Sequence, residues 1–267
     1  MLFSLLIAHY NNYDLFLDCY NSIIKQSYTN FEVIILDDCS TDGSFEKLTE
    51  LLKDDARFKI YQNDSNQGVG FTKKRLAELA NGEVCGFLDP DDALTENAIE
   101  NSVKNHTEKN VVTYSKFLLC DANLNHLKLF PQSRAIKNGD EKFFNIFLEA
   151  NHFFTFKKSA YNKTSGINAD LTSAVDQDLY LKLYEIGNFT FINEALYYYR
   201  LHEKGVSQEK SKKGKLNENW QKVILDTAKR RNIGRLYGKD IQDIDNLQEF
   251  IFKNQNTFLK KIQRKLQ

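Results

Sequence analysis

Proline is nearly absent from this chain of 267 residues, which contains only two. Cysteine is also scarce, and the four present, at positions 19, 39, 85 and 120, form no Cys-x-x-Cys pair. Their spacing therefore favours neither a disulfide framework nor a zinc site. No apolar run is long enough to span a bilayer and no secretory signal is visible, since residues 2–8 lead directly into polar residues. We expect a cytoplasmic protein with reduced thiols.

The composition is that of a packed globular protein. Hydrophobic residues make up 42% of the chain, with 20 Phe and 13 Tyr, which argues against disorder. The net charge of zero hides an asymmetry: from residue 210 onward there are 15 Lys or Arg against 6 Asp or Glu, and before it 21 against 30. The two parts are predicted to have different roles.

Apolar segments in the first ninety residues alternate between two periods. Residues 3–8, 31–36, 58–61 and 84–88 have the length and composition of buried strands. Helices are predicted between them, over residues 15–26, 42–52 and 71–79. This alternation predicts βαβ units and an α/β fold with a Rossmann-like, mostly parallel sheet.

The rest of the chain is less regular. We predict helices over residues 98–106, 142–150 and 178–186, and strands over 111–120, 127–130 and 152–156. Residues 189–192 and 195–199 are expected to pair as two strands. Residues 207–215 have the composition of a linker, and helices are predicted over 217–231 and 240–266.

Polar turns follow three of the predicted strands. They are Tyr10-Asn11, Asp37-Asp38 and the sequence Asp89-Pro90-Asp91-Asp92. Parallel strands would bring these turns to one sheet edge, where ligands bind in open α/β folds. Crowded carboxylates are commonly balanced by a hard divalent cation that bridges to a phosphate. The alternative for each turn alone is a solvated acidic helix cap.

Taken in order, these turns and later motifs resemble the inverting family 2 glycosyltransferases, which have the GT-A nucleotide-diphospho-sugar transferase fold. The matching segments are Ala8-His9-Tyr10-Asn11, Asp37-Asp38-Cys39-Ser40-Thr41-Asp42, Asn66-Gln67-Gly68, Leu88 to Asp92, Gln177-Asp178 and Tyr199-Arg200-Leu201-His202. Ala8, Lys73-Lys74, Pro90 and Gln177 depart from the usual residues. The resemblance covers residues 1–207, divided into a nucleotide-binding half (1–92) and an acceptor half (93–207). Residues 208–267 form a basic helical extension.

The resemblance implies a role for each matched residue. A UDP-sugar would be bound by Ala8, Tyr10, Asn11, Asp38, Asn66, Gly68, Lys73, Asp89 and His202, with Asp38 accepting the imide proton of uracil. Mn²⁺ or Mg²⁺ would be held chiefly by Asp91, with Asp89 and His202 as further ligands and Asp92 in support. Asp178 is the predicted catalytic base, and Asp176 is its rival.

The predicted reaction transfers a hexosyl or N-acetylhexosaminyl group to a saccharide or lipid-linked acceptor in surface polysaccharide assembly. Two alternatives stay open: a nucleotide-sugar binding module without turnover, which the departures at Ala8, Lys73 and Gln177 favour, and a sugar nucleotidyltransferase. The second is disfavoured because no glycine follows the first strand.

The basic residues near the end of the chain suggest a surface of their own, namely Lys260, Lys261, Arg264 and Lys265. They predict either adsorption to the inner face of an anionic membrane or a homo-oligomerisation arm. No nucleic acid is expected, because few aromatic residues are interleaved with the basic ones.

Overall fold

The computed structural model describes residues 1–202 and 213–257. The first part alternates strands and helices as predicted: β1 (Phe3–His9), α1 (Tyr13–Ile24), β2 (Phe31–Asp37), α2 (Ser44–Leu52), β3 (Phe58–Gln62), α3 (Val69–Leu79) and β4 (Val84–Phe87). These strands lie in the order β3-β2-β1-β4 and pair in parallel. The predicted Rossmann-like sheet is confirmed for this part of the chain.

The apolar runs of β1 and β2 are buried on both faces of the sheet. Leu6, Ile34 and Leu36 pack into one core with helix α3. Leu5 and Ile35, at alternate positions, pack into a second core with α1 and α2. Helices on both faces explain why these strands are continuously apolar instead of alternating.

The second half adds mixed pairings to the sheet. Its elements are β5 (Ala93–Leu94), α4 (Ala98–Asn105), β6 (Asn110–Cys120), β7 (His126–Leu129), β8 (Thr155–Lys157), α5 (Lys158–Tyr161), α6 (Val175–Tyr184) and β9 (Asn188–Arg200). Strand β8 lies antiparallel between β4 and β6, while β9 runs parallel to β6 and antiparallel to β5. Because β8 pairs with β4, one sheet continues from the first half into the second.

Two predictions in this half were wrong, and the strand predicted over residues 152–156 begins only at Thr155. Residues 142–150 form turns instead of a helix, because Asn145 and Leu148 have φ of +49° and +53°, which a right-handed helix excludes. The Asn145 side chain bonds both the N–H and the C=O of Ala150 there. The two strands predicted at 189–192 and 195–199 are one strand, β9, with register shifts opposite Lys116.

The C-terminal part contains helix α7 (Lys213–Arg230), the hairpin β10 (Arg235–Leu236) and β11 (Lys239–Asp240), a 3₁₀ turn (Ile241–Asp243) and helix α8 (Leu247–Gln255). The helix predicted from residue 240 begins at Leu247, because the Asn246 side chain caps it by accepting from the N–H of Glu249. This part shares a core with Phe144 and Ile146. Most of the predicted linker and the basic residues at 260–265 lie outside the described residues, so their membrane and oligomer roles stay predictions.

Three of the four cysteines, Cys19, Cys85 and Cys120, are buried, and all four are free thiols. Burial raises the pKa of Cys85 to about 12. Cys39, on the loop after β2, is partly exposed. Within the described residues, no helix combines the length and apolar character needed to cross a membrane.

Candidate active site

Three polar turns meet at one edge of the sheet. Strands β1, β2 and β4 are parallel neighbours, so the residues that follow them emerge on the same side. The N–H of Asp38 donates to the carbonyl of His9, and the N–H of Leu88 donates to the carbonyl of Leu6. These bonds keep the turns in register beyond the ends of the regular strands.

Asp37 and Asp38 have different partners although they are adjacent. Asp37 is fully buried and bonds His9 Nδ1 at 3.0 Å and the hydroxyl of Ser40 at 2.5 Å. Burial alone would raise the pKa of Asp37, but the bonds from His9 and Ser40 lower it below its ordinary value. Asp37 therefore fixes the turn that holds Asp38.

The carboxylate of Asp38 organises the loop before α3. One oxygen, Oδ1, accepts from Asn63 Nδ2 and from the N–H of Gln67, and the other, Oδ2, accepts from the N–H of Gly68 at 2.8 Å. Gly68 has φ +86°, which favours glycine. A carboxylate oxygen has two acceptor positions, so Oδ2 retains one. The predicted contact with a uracil imide would have to use that position, and it stays a prediction.

Lys73 lies between two carboxylates at the centre of the cleft. Its Nζ is 2.9 Å from Asp176 Oδ1 and 3.2 Å from Asp89 Oδ1, and the side chain is 6% exposed. Burial alone would lower the pKa of Lys73, but the charges of Asp176 and Asp89 outweigh burial and raise it. Burial likewise acts to raise the pKa of Asp89, and Lys73 and His152 reverse that effect. Lys73 and Asp89 are therefore both charged at neutral pH.

A second carboxylate group lies beside this one. Asp91 Oδ2 is 2.8 Å from His202 Nε2, so the structure brings these two predicted metal ligands together. Asp92 is buried and accepts from the hydroxyl of Tyr197 at 2.6 Å and the N–H of Arg200 at 2.7 Å. Burial, with the charges of Asp91 and Asp89, raises the pKa of Asp92. Asp92 thus connects the loop of residues 89–92 to β9.

Asp91 and His202 carry the types of ligand atom that a divalent cation binds, a carboxylate oxygen and an imidazole nitrogen. Within residues 1–202 and 213–257, no three or more His, Cys, Asp or Glu side chains are grouped to hold a metal ion. Mg²⁺ and related ions commonly take one or two carboxylates and complete their shell with substrate phosphates and water. A carboxylate oxygen and an imidazole nitrogen 2.8 Å apart fit that pattern for Mn²⁺ or Mg²⁺. Asp89 Oδ1 faces Lys73 instead of His202.

Several lining residues of the cleft were missed by sequence reasoning. The cleft is lined by Lys73, Phe87, Asp89, His152, Phe154, Asp176 and Tyr180. The rings of Phe154 and Tyr180 stack with centroids 3.7 Å apart, and His152 stacks on Tyr197 at 4.5 Å. Burial lowers the pKa of His152, although Asp89 acts in the opposite direction. No local motif marks the missed residues: Phe87 lies on β4 and Tyr180 on α6. His152 and Phe154 precede β8, which pairs with β4.

Asp178, the predicted base, does not line this cleft. Its side chain is 2% exposed, and Oδ2 accepts from Lys182 Nζ and from the N–H of Asn168, each at 2.8 Å. A base must reach the hydroxyl whose proton it takes, and a carboxylate enclosed in this way does not. Asp176, two residues earlier on α6, is 38% exposed and lies in the cleft.

The remaining predicted donor contacts lie on β1 and on the loops after β1 and β3. Tyr10 is 46% exposed, and Asn66 is exposed on the loop held by Asp38. The side chain of Asn11 exchanges hydrogen bonds with the N–H and hydroxyl of Thr41. Ala8 packs against the core that contains α3. Tyr10, Asn11 and Asn66 are therefore the three of these that are exposed to solvent.

Known proteins resemble this chain in sequence. A family model described as glycosyl transferase family 2 matches residues 4–165. The hyaluronan synthase of Pasteurella multocida is 29% identical over 258 residues, which is 94% of this chain and 25% of that protein. The chondroitin synthase of Escherichia coli is 29% identical over 259 residues, 94% of this chain and 36% of that protein. The chain thus spans about a quarter to a third of the length of these relatives.

Solved structures resemble it in fold. Residues 1–349 of S. aureus TarS, in complex with UDP-GlcNAc, superpose with a TM-score of 0.66 at 20% identity, covering 97% of this chain and 72% of that one. The mannosyltransferase PcManGT from Pyrobaculum calidifontis, in complex with GDP-Man and Mn²⁺, gives a TM-score of 0.62 at 14% identity, covering 94% and 67%. These similarities confirm the predicted GT-A fold.

Proposed function

The chain belongs to glycosyl transferase family 2, and on that basis we propose that it transfers a sugar from a UDP-sugar to a saccharide or lipid-linked acceptor, with inversion at the anomeric carbon. The observation that carries the proposal is the contact of Lys73 with Asp89 and Asp176 at the sheet edge. Lys73 provides a cation that can bind a diphosphate, and Asp176 beside it provides a carboxylate that can accept the proton of a hydroxyl. The hyaluronan and chondroitin synthases support a role in polysaccharide synthesis.

Asp176 is the proposed base. In a single displacement, the acceptor hydroxyl oxygen bonds to the anomeric carbon on the face opposite the diphosphate, the bond from that carbon to the phosphate oxygen breaks, and UDP leaves. Asp176 takes the hydroxyl proton. Its exposure of 38% leaves room for an acceptor, and Lys73 Nζ lies 2.9 Å from its Oδ1.

Lys73 is proposed to bind the diphosphate. Its Nζ is already at the cleft, and two carboxylates compensate its charge. A diphosphate that draws Nζ toward itself would weaken the contact with Asp176 and leave that carboxylate free to contact the acceptor hydroxyl. Bound donor would in this way prepare the base for the acceptor.

Asp91 and His202 are proposed to hold Mn²⁺ or Mg²⁺. When bound, such an ion acts as a Lewis acid toward the departing diphosphate. Asp92 would keep Asp91 in place through its bonds to Tyr197 and to the backbone of Arg200. The nucleoside is proposed to lie against Tyr10, with its base edge at the remaining acceptor position of Asp38 Oδ2.

The proposal is tested by UDP release. The protein is incubated with Mn²⁺, a panel of UDP-sugars that includes UDP-GlcNAc, and hyaluronan or chondroitin oligosaccharides as acceptors. Loss of a general base commonly costs about 10²–10⁴ in rate, so Asp176→Asn should lose that much kcat. Asp170→Asn, at an exposed carboxylate on the preceding loop, is the control and should keep the wild-type rate.

Two results would count against the proposal. Equal kcat for Asp176→Asn and the wild type would remove the assigned base. Tight UDP binding without transfer to any acceptor would favour the alternative of a nucleotide-sugar binding module.

A further inference from the structure

Helix α7 reaches back to the loop that precedes the proposed base. The side-chain amide of Asn219, on α7, donates to the hydroxyl of Thr172 at 3.0 Å and to that of Ser173 at 2.8 Å. Asn219 is 5% exposed, and it lies beyond the residues 4–165 that match the family model. We propose that Asn219 is a positioning residue for Asp176, an inference that rests on the proposed function of that carboxylate.

The first turn of α6 has no cap of its own. Its N-cap residue, Ala174, has φ +57° and makes no side-chain hydrogen bond to the helix. Contacts made by the residues just before it therefore help to orient the turn, beside the bond from Asn145 to Gln177. Thr172 and Ser173 are those residues, and Asp176 follows Ser173 by three positions.

The same loop is held on its other side by α3. The N–H of Gly70 donates to the carbonyl of Leu171 at 3.2 Å. A Cβ on Gly70 would lie 2.5 Å from that carbonyl oxygen and 2.8 Å from the one of Asn168, so the two backbones are in direct contact. Helix α3 also carries Lys73. The loop between α3 and α7 thus sets the distance from Lys73 to Asp176.

The amide of Asn219 is separate from the contacts that hold α7 in the fold. Trp220, Ile224 and Ala228 pack into the C-terminal core, and Val223 packs into the main core with α3 and α6. Removing the Asn219 amide leaves these apolar contacts unchanged. We therefore expect a loss of alignment at Asp176 without loss of the fold.

The expected effect is on kcat. A displacement of about 1 Å at a catalytic group can cost up to about 10²-fold in rate, so Asn219→Ala should lower kcat at least about tenfold. The KM for UDP-GlcNAc and the affinity for UDP should stay at wild-type values, because neither Asn219 nor the loop it bonds carries a proposed donor contact. Asn217→Ala, at an exposed position of the same helix, is the matched control and should leave kcat unchanged.

A double-mutant cycle separates positioning from general destabilisation. Ser173→Ala and Thr172→Val remove the acceptors from the loop side, and together they should reproduce the loss seen in Asn219→Ala. Combining all three changes should cost no more than Asn219→Ala alone, because the same two bonds are removed. The loop pair also serves as the test if Asn219→Ala does not fold.

The outcomes are distinct. If the wild type is active and Asn219→Ala has the same kcat, this inference is overturned and the proposed function is unaffected. Strictly additive losses in the cycle, or a fall in UDP affinity that matches the fall in kcat, also overturn it. A wild type that releases no UDP from any donor overturns the proposed function, and this inference with it.

Discussion

The buried pair of Asp178 and Lys182 gives a quantitative test of the revised base assignment. In Asp178→Asn, the ammonium of Lys182 keeps its bond to the carbonyl of Gly166 at 2.7 Å but loses the carboxylate at 2.8 Å. Removing one partner of a buried ion pair costs about 3–5 kcal/mol. The Asn carbonyl can still accept from the N–H of Asn168, so we expect the lower end, about 3 kcal/mol.

This loss of stability is measurable by thermal unfolding. For a domain of this size, 1 kcal/mol shifts Tm by about 2–4 °C, so Asp178→Asn should lower Tm by about 6–12 °C. Its kcat, measured well below the new Tm, should stay near the wild-type value. The control is Asp178→Asn combined with Lys182→Met, which removes the unpaired ammonium and should recover part of the lost stability. A fall in kcat of a hundredfold or more at unchanged Tm would refute the reasoning and restore Asp178 as the base.

Two further changes test the rest of the cleft. In Lys73→Met the pKa of Asp89 should rise, because burial raises it and Lys73 is the larger of the two charges, Lys73 and His152, that lower it. The lowered pKa of Asp89 stabilises the fold above about pH 4, and that contribution is lost as the pH falls through the folded pKa. The raised pKa of Lys73 stabilises the fold up to about pH 10. The difference in unfolding free energy between wild type and Lys73→Met should therefore be larger at pH 7 than at pH 3, and a difference independent of pH would contradict this. His202→Asn should raise the Mn²⁺ concentration for half-maximal rate at least about tenfold, and an unchanged Mn²⁺ dependence would exclude His202 as a ligand.

Much of the fold could be predicted because local and tertiary preferences agree. The seven residues of β2 are all buried, so their continuous apolar pattern is that of a strand covered by helices on both faces. Residues 142–150 could not be predicted in the same way. Their backbone depends on positive φ at Asn145 and Leu148 and on a side-chain bond from Asn145 to Gln177, which only the folded chain supplies.

The sequence names both carboxylates of α6, Asp178 as the base and Asp176 as its rival, but does not show which of them lines the cleft. Side chains two positions apart on a helix are rotated by about 200° around its axis. Asp176 and Asp178 therefore cannot both face one cleft. The signal that separates them was present in the sequence: Lys182 follows Asp178 by four positions and can pair with it along the helix. The contact of Lys73 with Asp176 joins residues 103 positions apart, and no local pattern indicates it.

The uneven burial of the thiols gives the protein a built-in labelling position. Cys19, Cys85 and Cys120 are enclosed, and Cys39 alone among the four is partly open. Cys39 directly follows Asp38 on the proposed nucleotide side of the cleft. A maleimide dye should therefore attach there without engineered mutations, and UDP added beforehand should slow the labelling reaction.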